Sequence, residues 1–295
     1  MVFTANQAVG NYWFRADNVP ACATGNNFYG RAIFSYVGAD SSDPTSTASA
    51  APGGCSDEQG LVPWVINTVP SSDFATQAKN LNVDLGREQV TTNGQNIVFW
   101  GVNLTAMHVS WDMPTLSYVQ SGNTSYPSAY NLLELPVENI VSNPFSSCRQ
   151  SLLTTSQWTY WIIQETGGAK TLVPIPHPIH LHGHDFYVLG AGTGTFDPNA
   201  NVGQLTFSNP TRRDTALLPG GGWLVIAFPT DNPGAWLMHC HISWHISQGL
   251  GVQFLEAKQS INLPDGKWQN TCKNWQQYNQ MDDTPPYWVQ DDSGL

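Results

Sequence analysis

The residues of this sequence best suited to chemistry lie in two short runs, His177-Pro178-Ile179-His180-Leu181-His182-Gly183-His184 and Met238-His239-Cys240-His241-Ile242-Ser243-Trp244-His245. Together they hold seven of the eight histidines and one of the five cysteines in the chain. Histidines used only for packing do not cluster in this way. Imidazoles crowded round one thiolate form a ligand set for zinc or copper. Structural zinc commonly takes several thiolates, and a catalytic zinc site more often adds a carboxylate. One cysteine with two histidines in a trigonal plane and a weak axial neighbour is the arrangement of an electron-transfer copper.

An extended backbone sharpens that expectation. Successive side chains of a strand alternate faces, so Cys240 points opposite to His239 and His241. His180 and His182 share a face in the same way, while His177, across Pro178, is free to turn elsewhere. One strand then serves two metal centres, and the covalent path from sulfur through the peptide to the flanking imidazoles becomes an electron route. His184 continues the alternation but reads as hydrogen-bonded to a neighbour. His108, isolated between Met107 and Val109, reads as a structural or surface residue.

Such a centre needs rigid strands to position it. The chain is 41% hydrophobic and only 11% charged, with 26 Gly and 20 Pro, which suits an all-β protein with many turns. Strands are expected at 11–16, 31–37, 96–102, 158–164, 185–189, 223–228, 235–240 and 251–255, without intervening amphipathic helices. That pattern predicts a Greek-key β-sandwich, not a parallel α/β sheet. Residues 38–54 are almost wholly small or polar and predict an exposed connection, with a domain boundary near Leu61. Trp268, Cys272 and Trp275 recur at helical spacing behind Asp265, predicting a short helix docked by one face.

The net charge of −11 and the lack of any Lys/Arg cluster argue against nucleic acid as a partner. No apolar run approaches the roughly 18–20 residues of a membrane span. The N-terminus lacks the basic and apolar regions of a signal peptide, yet Asn103-Leu104-Thr105 and Asn123-Thr124-Ser125 are sequons useful only to a secreted chain. A chain whose beginning has been lost reconciles the two. Five cysteines leave at least one outside any intrachain disulfide. Cys240 is the natural exception and Cys22–Cys55 the best pair, leaving Cys148 and Cys272 joined to each other or to something absent.

The two runs, with Arg212-Arg213-Asp214-Thr215 and Asp231-Asn232-Pro233-Gly234 between them, resemble the third domain of fungal laccases, which are multicopper oxidases. The terminal Asp292-Ser293-Gly294-Leu295 is similar to the C-terminal plug of the ascomycete members. The resemblance implies a cupredoxin-like sandwich over 61–295, carrying the C-terminal helix and plug, preceded in 1–60 by the remnant of a second cupredoxin domain and a linker. It implies His177, Cys240 and His245 as type 1 copper ligands, with Leu250 at the axial position donating nothing and so favouring a high potential. His180 is implied as a type 2 ligand, and His182, His239 and His241 as type 3 ligands. Ile175, Trp244, His245 and, more weakly, Trp100 are implied in the substrate pocket, and Ser247 and Asp292 in proton relay. The implied reaction is one-electron oxidation of phenols coupled to reduction of dioxygen to water, in a secreted protein. The family's two other His-x-His pairs, from the first domain, have no counterpart in this sequence, so the chain, lacking the N-terminal cupredoxin domains, is expected to be incomplete as an enzyme. The alternative is a single-copper electron carrier or an inactive truncated product. By the same resemblance Cys22 and Cys55 match a retained pair, and Cys272 a cysteine whose partner lies upstream.

Overall fold

The computed structural model describes residues 4–19, 22, 29–47, 54–58, 60–89, 96–135, 157–165, 174–263 and 265–280. The chain divides into two compact units, Met1–Gln59 and Gly60–Leu295. In the first, β1 (Asn11–Asp17) pairs antiparallel with β2 (Tyr29–Ser35), from Asn11 opposite Ser35 to Asp17 opposite Tyr29. The second strand thus starts and stops two residues earlier than its apolar run suggests. Cys22 and Cys55 form the expected disulfide. The polar stretch after β2 is tied to β1: the Asn11 amide donates to the carbonyls of Asp40 (2.9 Å) and Ser42 (2.7 Å), and Arg15 to that of Ser46 (2.8 Å). Residues 48–53 of the expected connection lie outside the described residues.

The second unit is a cupredoxin-like sandwich of two sheets. One has the order β10 (Thr215–Leu218), β7 (His177–Leu181), β12 (Gly234–Cys240), β13 (Gly251–Glu256), β5 (Leu132–Leu135). The other runs β4 (Asn96–Val102), β3 (Lys79–Gln89), β6 (Trp158–Glu165), β11 (Gly222–Pro229), β8 (Phe186–Thr193), β9 (Thr211–Arg213). Pairing is antiparallel except for β3 with β6 and β13 with β5. The helices are small: α1 (Phe74–Gln77), α2 (Thr115–Ser121), α3 (Pro198–Asn201), α4 (Ser243–Ser247) and α5 (Gly266–Asn279). The Asp265 side chain caps α5 by accepting from the Lys267 amide at 3.1 Å, as a carboxylate at a helix N-terminus should. Among the described residues no helix is long and apolar enough to cross a membrane.

Burial patterns follow from how many faces each sheet hides. The six-stranded sheet is covered on both sides, so β11, Gly-Trp-Leu-Val-Ile-Ala-Phe-Pro, is apolar and buried almost throughout. Leu224, Ile226 and Phe228 meet Met238, Cys240, Val252 and Phe254 of the facing sheet in the main core, while Trp223, Val225 and Ala227 pack beneath Phe74, Phe196 and Leu205 on the other side. Each such large apolar side chain contributes on the order of 1.5–3 kcal/mol by leaving water. The five-stranded sheet packs its inner face on this core, while its outer face is buried at His239 and Leu255 but more open along β7. In β7 the burial therefore alternates: His177, Ile179 and Leu181 are buried, Pro178 and His180 half-buried.

Candidate metal centre

Adjacent strands β7 and β12 carry both histidine runs. Their antiparallel register sets His180 directly opposite His239, and Ile179 opposite Cys240. Alternation then sends His180, His182, His239 and His241 to the outer face of the pair, and Cys240 inward. His177, an even number of residues from Ile179, also turns inward. The third inner residue comes from a reversal of the chain. After Cys240 the backbone enters α4, where the His245 amide donates to Ile242 (2.9 Å), and then turns back through Gly249. Gly249 has φ +103°, and a Cβ there would lie 2.6 Å from Ala106. Only glycine fits. The return is pinned by Cys240 N–H to Leu250 O (3.1 Å) and Leu250 N–H to His245 O (3.0 Å), which brings His245 back beside the cysteine.

The result is a compact triangle. The Nδ1 atoms of His177 and His245 are 3.1 Å apart, and Cys240 Sγ lies 3.6 and 3.5 Å from them. The point equidistant from three atoms so spaced is about 2.0 Å from each, close to the ~2.0–2.3 Å of metal bonds to imidazole nitrogen and thiolate sulfur. All three residues are buried. Burial, helped by the neighbouring His245, pushes His177 down to about 3, and burial pushes His245 down to about 4. Both rings therefore keep a free lone pair at neutral pH. Burial pushes the Cys240 thiol up to about 12, only partly opposed by the Ile242 N–H directed at its sulfur. A cation must displace that proton on binding. His177 directs its Nδ1 at Cys240 and His245, and its Nε2 is buried without a hydrogen-bond partner. Two borderline nitrogens and one soft sulfur, convergent and dry, fit copper.

The outer face is organised differently. His180 Nδ1 lies 2.8 Å from Asp214 O and His239 Nδ1 lies 2.8 Å from Cys240 O, contacts that put the proton on Nδ1 and leave each Nε2 as a donor to a metal. His182 Nε2 and His239 Nε2 stand 3.1 Å apart. Neighbouring ring centroids are separated by 4.9 Å (His180–His182) to 5.8 Å (His180–His241). Burial lowers His239 to about 4 and also lowers His182, with the other histidines adding to both shifts. His180 and His182 open onto a cleft of about 720 Å³ that is also lined by His184, Arg212, Asp214 and Asp231.

The remaining expected residues fall in several places. Leu250 is 1% exposed and in the same core as Cys240. Trp244 is 60% exposed with its ring edge-on to His245, and Ile175 packs partly buried against the core. Trp100 is only 6% exposed and touches His177 and His245 instead of facing outward. Ser247 closes a local bond, Oγ to Trp244 O at 3.2 Å. Asp292 and Cys148 lie outside the described residues, and Cys272 has a free thiol. His184, as expected, bonds a neighbour: its Nε2 is 2.8 Å from Glu256 Oε2. Glu256 itself escaped sequence reading, although a carboxylate ending the apolar strand 251–256 is the signal of a buried partner. Its other oxygen accepts from Asn232 N–H (2.7 Å), Asn232 donates to Gly183 O (2.9 Å), and Trp236 donates to Asn232 O (2.7 Å). Gly183, at φ +76°, has Trp236 ring atoms 2.4 Å from where a Cβ would stand. This network fixes the turn that follows His182.

Residues 108–260 match the family model for multicopper oxidases. The chain belongs to the multicopper oxidase family. It is 47% identical over 259 residues to laccase-3 of Botryotinia fuckeliana, covering 86% of this chain and 53% of that protein. It is 40% identical over 313 residues to the laccase of Neurospora crassa, covering 100% of this chain and 45% of that one. The chain therefore spans about half the length of these relatives. The crystal structure of a laccase from Botrytis aclada superposes with a TM-score of 0.72 at 31% identity, over 99% of this chain and 48% of that one. In this multicopper oxidase chain the His177–Cys240–His245 group is of the type 1 copper kind.

Proposed function

We propose that the chain is the C-terminal half of a secreted laccase, 61–295 being its third cupredoxin domain and 1–60 the end of its second. The observation that carries the reading is the pair of faces on β7 and β12: a closed, buried Cys-His-His triangle inside and four imidazoles outside, joined by single peptide steps from Cys240 to His239 and to His241. Copper held by His177, Cys240 and His245 would supply one-electron redox chemistry, and a trinuclear cluster the reduction of dioxygen to water. The chain's own residues have definable tasks. Exposed Trp244 beside His245, with Ile175, presents an apolar edge on which a phenol ring can lie within electron-transfer distance. Leu250, buried in the same core as Cys240, carries no thioether and would offer copper no further soft donor, which would leave the cupric state less stabilised and the potential high. Cys240 bridges the faces, and His180, His182, His239 and His241 supply the type 2 and type 3 ligands available from this chain. Ser247 and Asp292 would pass protons toward them. The other imidazoles would come from N-terminal cupredoxin domains, the relatives being about twice as long as this chain.

The reading is tested by adding a phenol, without dioxygen, to the copper-loaded chain. Bleaching of the blue absorption by one electron per type 1 copper is expected. A site reduced by ferrous iron but not by phenols would assign a different multicopper oxidase activity.

A further inference from the structure

Trp100 sits where a substrate-pocket residue is expected, yet it is closed off from solvent and occupied on its ring by the two histidine ligands of the inner triangle. Its ring centroid is 4.5 Å from that of His245, tilted by 38°, and 4.8 Å from that of His177, edge-on at 74°. It reaches them from the opposite sheet, on edge strand β4, in register with Leu85 of β3. The strand is held firmly just beyond the indole. Asn103 and Leu104 adopt left-handed conformations, at φ +53° and +64°, and fold the chain back so that Val102 N–H donates to Thr105 O at 2.9 Å. Gly101 accommodates this reversal, since a Cβ there would lie 2.9 Å from Thr105 O. Two residues later Met107 N–H donates to Gly249 O (2.9 Å), in the very turn that returns the chain from His245 to Leu250. The indole and the ligand loop are thus braced against each other.

We propose that Trp100 is a positioning residue of the type 1 group, which orients both imidazoles with Nδ1 toward Cys240 and walls the ligands from water. This deepens the type 1 reading and rests on it. Two consequences follow from physical chemistry. Imidazole rings clamped by a third ring cannot rotate to suit the geometry that each oxidation state prefers. A dry apolar wall also disfavours the state of higher charge, so it raises the reduction potential of a centre that gains one electron. Truncation to alanine leaves a void beside two polar rings, where water can enter and hydrate the cupric state.

The test compares the copper-loaded chain with its Trp100→Phe and Trp100→Ala variants by redox titration, blue absorption and copper hyperfine splitting. Phenylalanine keeps a ring over the ligands and is expected to hold the one-electron equilibrium constant within about threefold. Alanine is expected to lower it at least tenfold, about 59 mV in potential, and to widen the hyperfine splitting. Copper uptake by the Phe but not the Ala variant also supports positioning. An Ala variant with unchanged potential and splitting overturns the proposal, as does a Phe variant as impaired as Ala. A wild-type chain that develops no blue band contradicts the type 1 reading itself, so the two failures are distinct.

Discussion

Strands β7 and β12 carry imidazoles on both faces, yet the two faces are finished to different degrees. Inside, three donor atoms from two strands and a short helix converge to between 3.1 and 3.6 Å, sealed by the opposite sheet and by Trp100. Outside, His182 and His239 also bring their Nε2 atoms to 3.1 Å, but no cysteine joins them, and His180 and His182 open onto a broad cleft of about 720 Å³. The same pleat generates both, and what differs is closure. A site facing the core of one sandwich is completed by that sandwich, whereas a site on its outer surface waits for ligands from another. On the proposed laccase reading, this division would let a chain that spans about half the length of its relatives hold an entire electron-accepting centre and only part of an oxygen-reducing one.

The comparison can be broken most severely at the residue both faces share. Cys240→Ser is expected to abolish the blue absorption and narrow hyperfine splitting completely while leaving the fold cooperative by thermal unfolding. Persistence of both signals would remove the inner site from the account. At the other end of the same strands, Glu256→Ala strips the buried partner of His184, whose side chains are 0% and 3% exposed, and is expected to cost about 3–5 kcal/mol in chemical denaturation. The type 1 spectrum of the surviving folded protein should be unchanged, because this network braces the turn after His182 and not the triangle.

Acid probes the inner face again. His177 and His245 are protonated below 6.5 in the unfolded chain, but only near 3 and 4 in the fold. Folded stability is therefore complete above pH 6.5 and falls as pH drops through 6.5 to about 3, by at most about 1.4 kcal/mol per pH unit for each ring. The denaturation midpoint of the metal-free chain against pH measures this, and a flat profile from 6.5 to 4 would show the rings to be wetter than described. The smallest effect is expected for Trp244→Ala, at a residue 60% exposed: under about 0.5 kcal/mol in stability, with an intact blue band but slower bleaching by phenols.

Much of this was legible in the chain itself, for physical reasons. Period-two alternation in a half-buried sheet is a strong local signal, and it placed Cys240 opposite His239 and His241 before any coordinates. The strands from 158 to 164, 223 to 228 and 235 to 240 were equally readable as β-rich runs. Strand β3 was not: Lys79-Asn80-Leu81-Asn82-Val83-Asp84 is held in the sheet by its neighbours, parallel to β6, although Asn and Asp disfavour strands. Trp100 was read only as a weaker candidate for the substrate pocket, and its burial against His177 and His245 was not legible because nothing local reveals that an edge strand of one sheet will overlie ligands on the other. Glu256, and the bond it accepts from Asn232, were missed for the same reason, since their meeting depends on the sandwich and not on spacing.

The central claim, a complete type 1 centre beside an incomplete cluster, is tested most directly by dioxygen uptake of the copper-loaded chain with a phenol. The account predicts a blue protein that a phenol bleaches once, with no sustained uptake until an N-terminal half carrying the other histidine pairs is supplied. Sustained laccase-like uptake by this chain alone would contradict it.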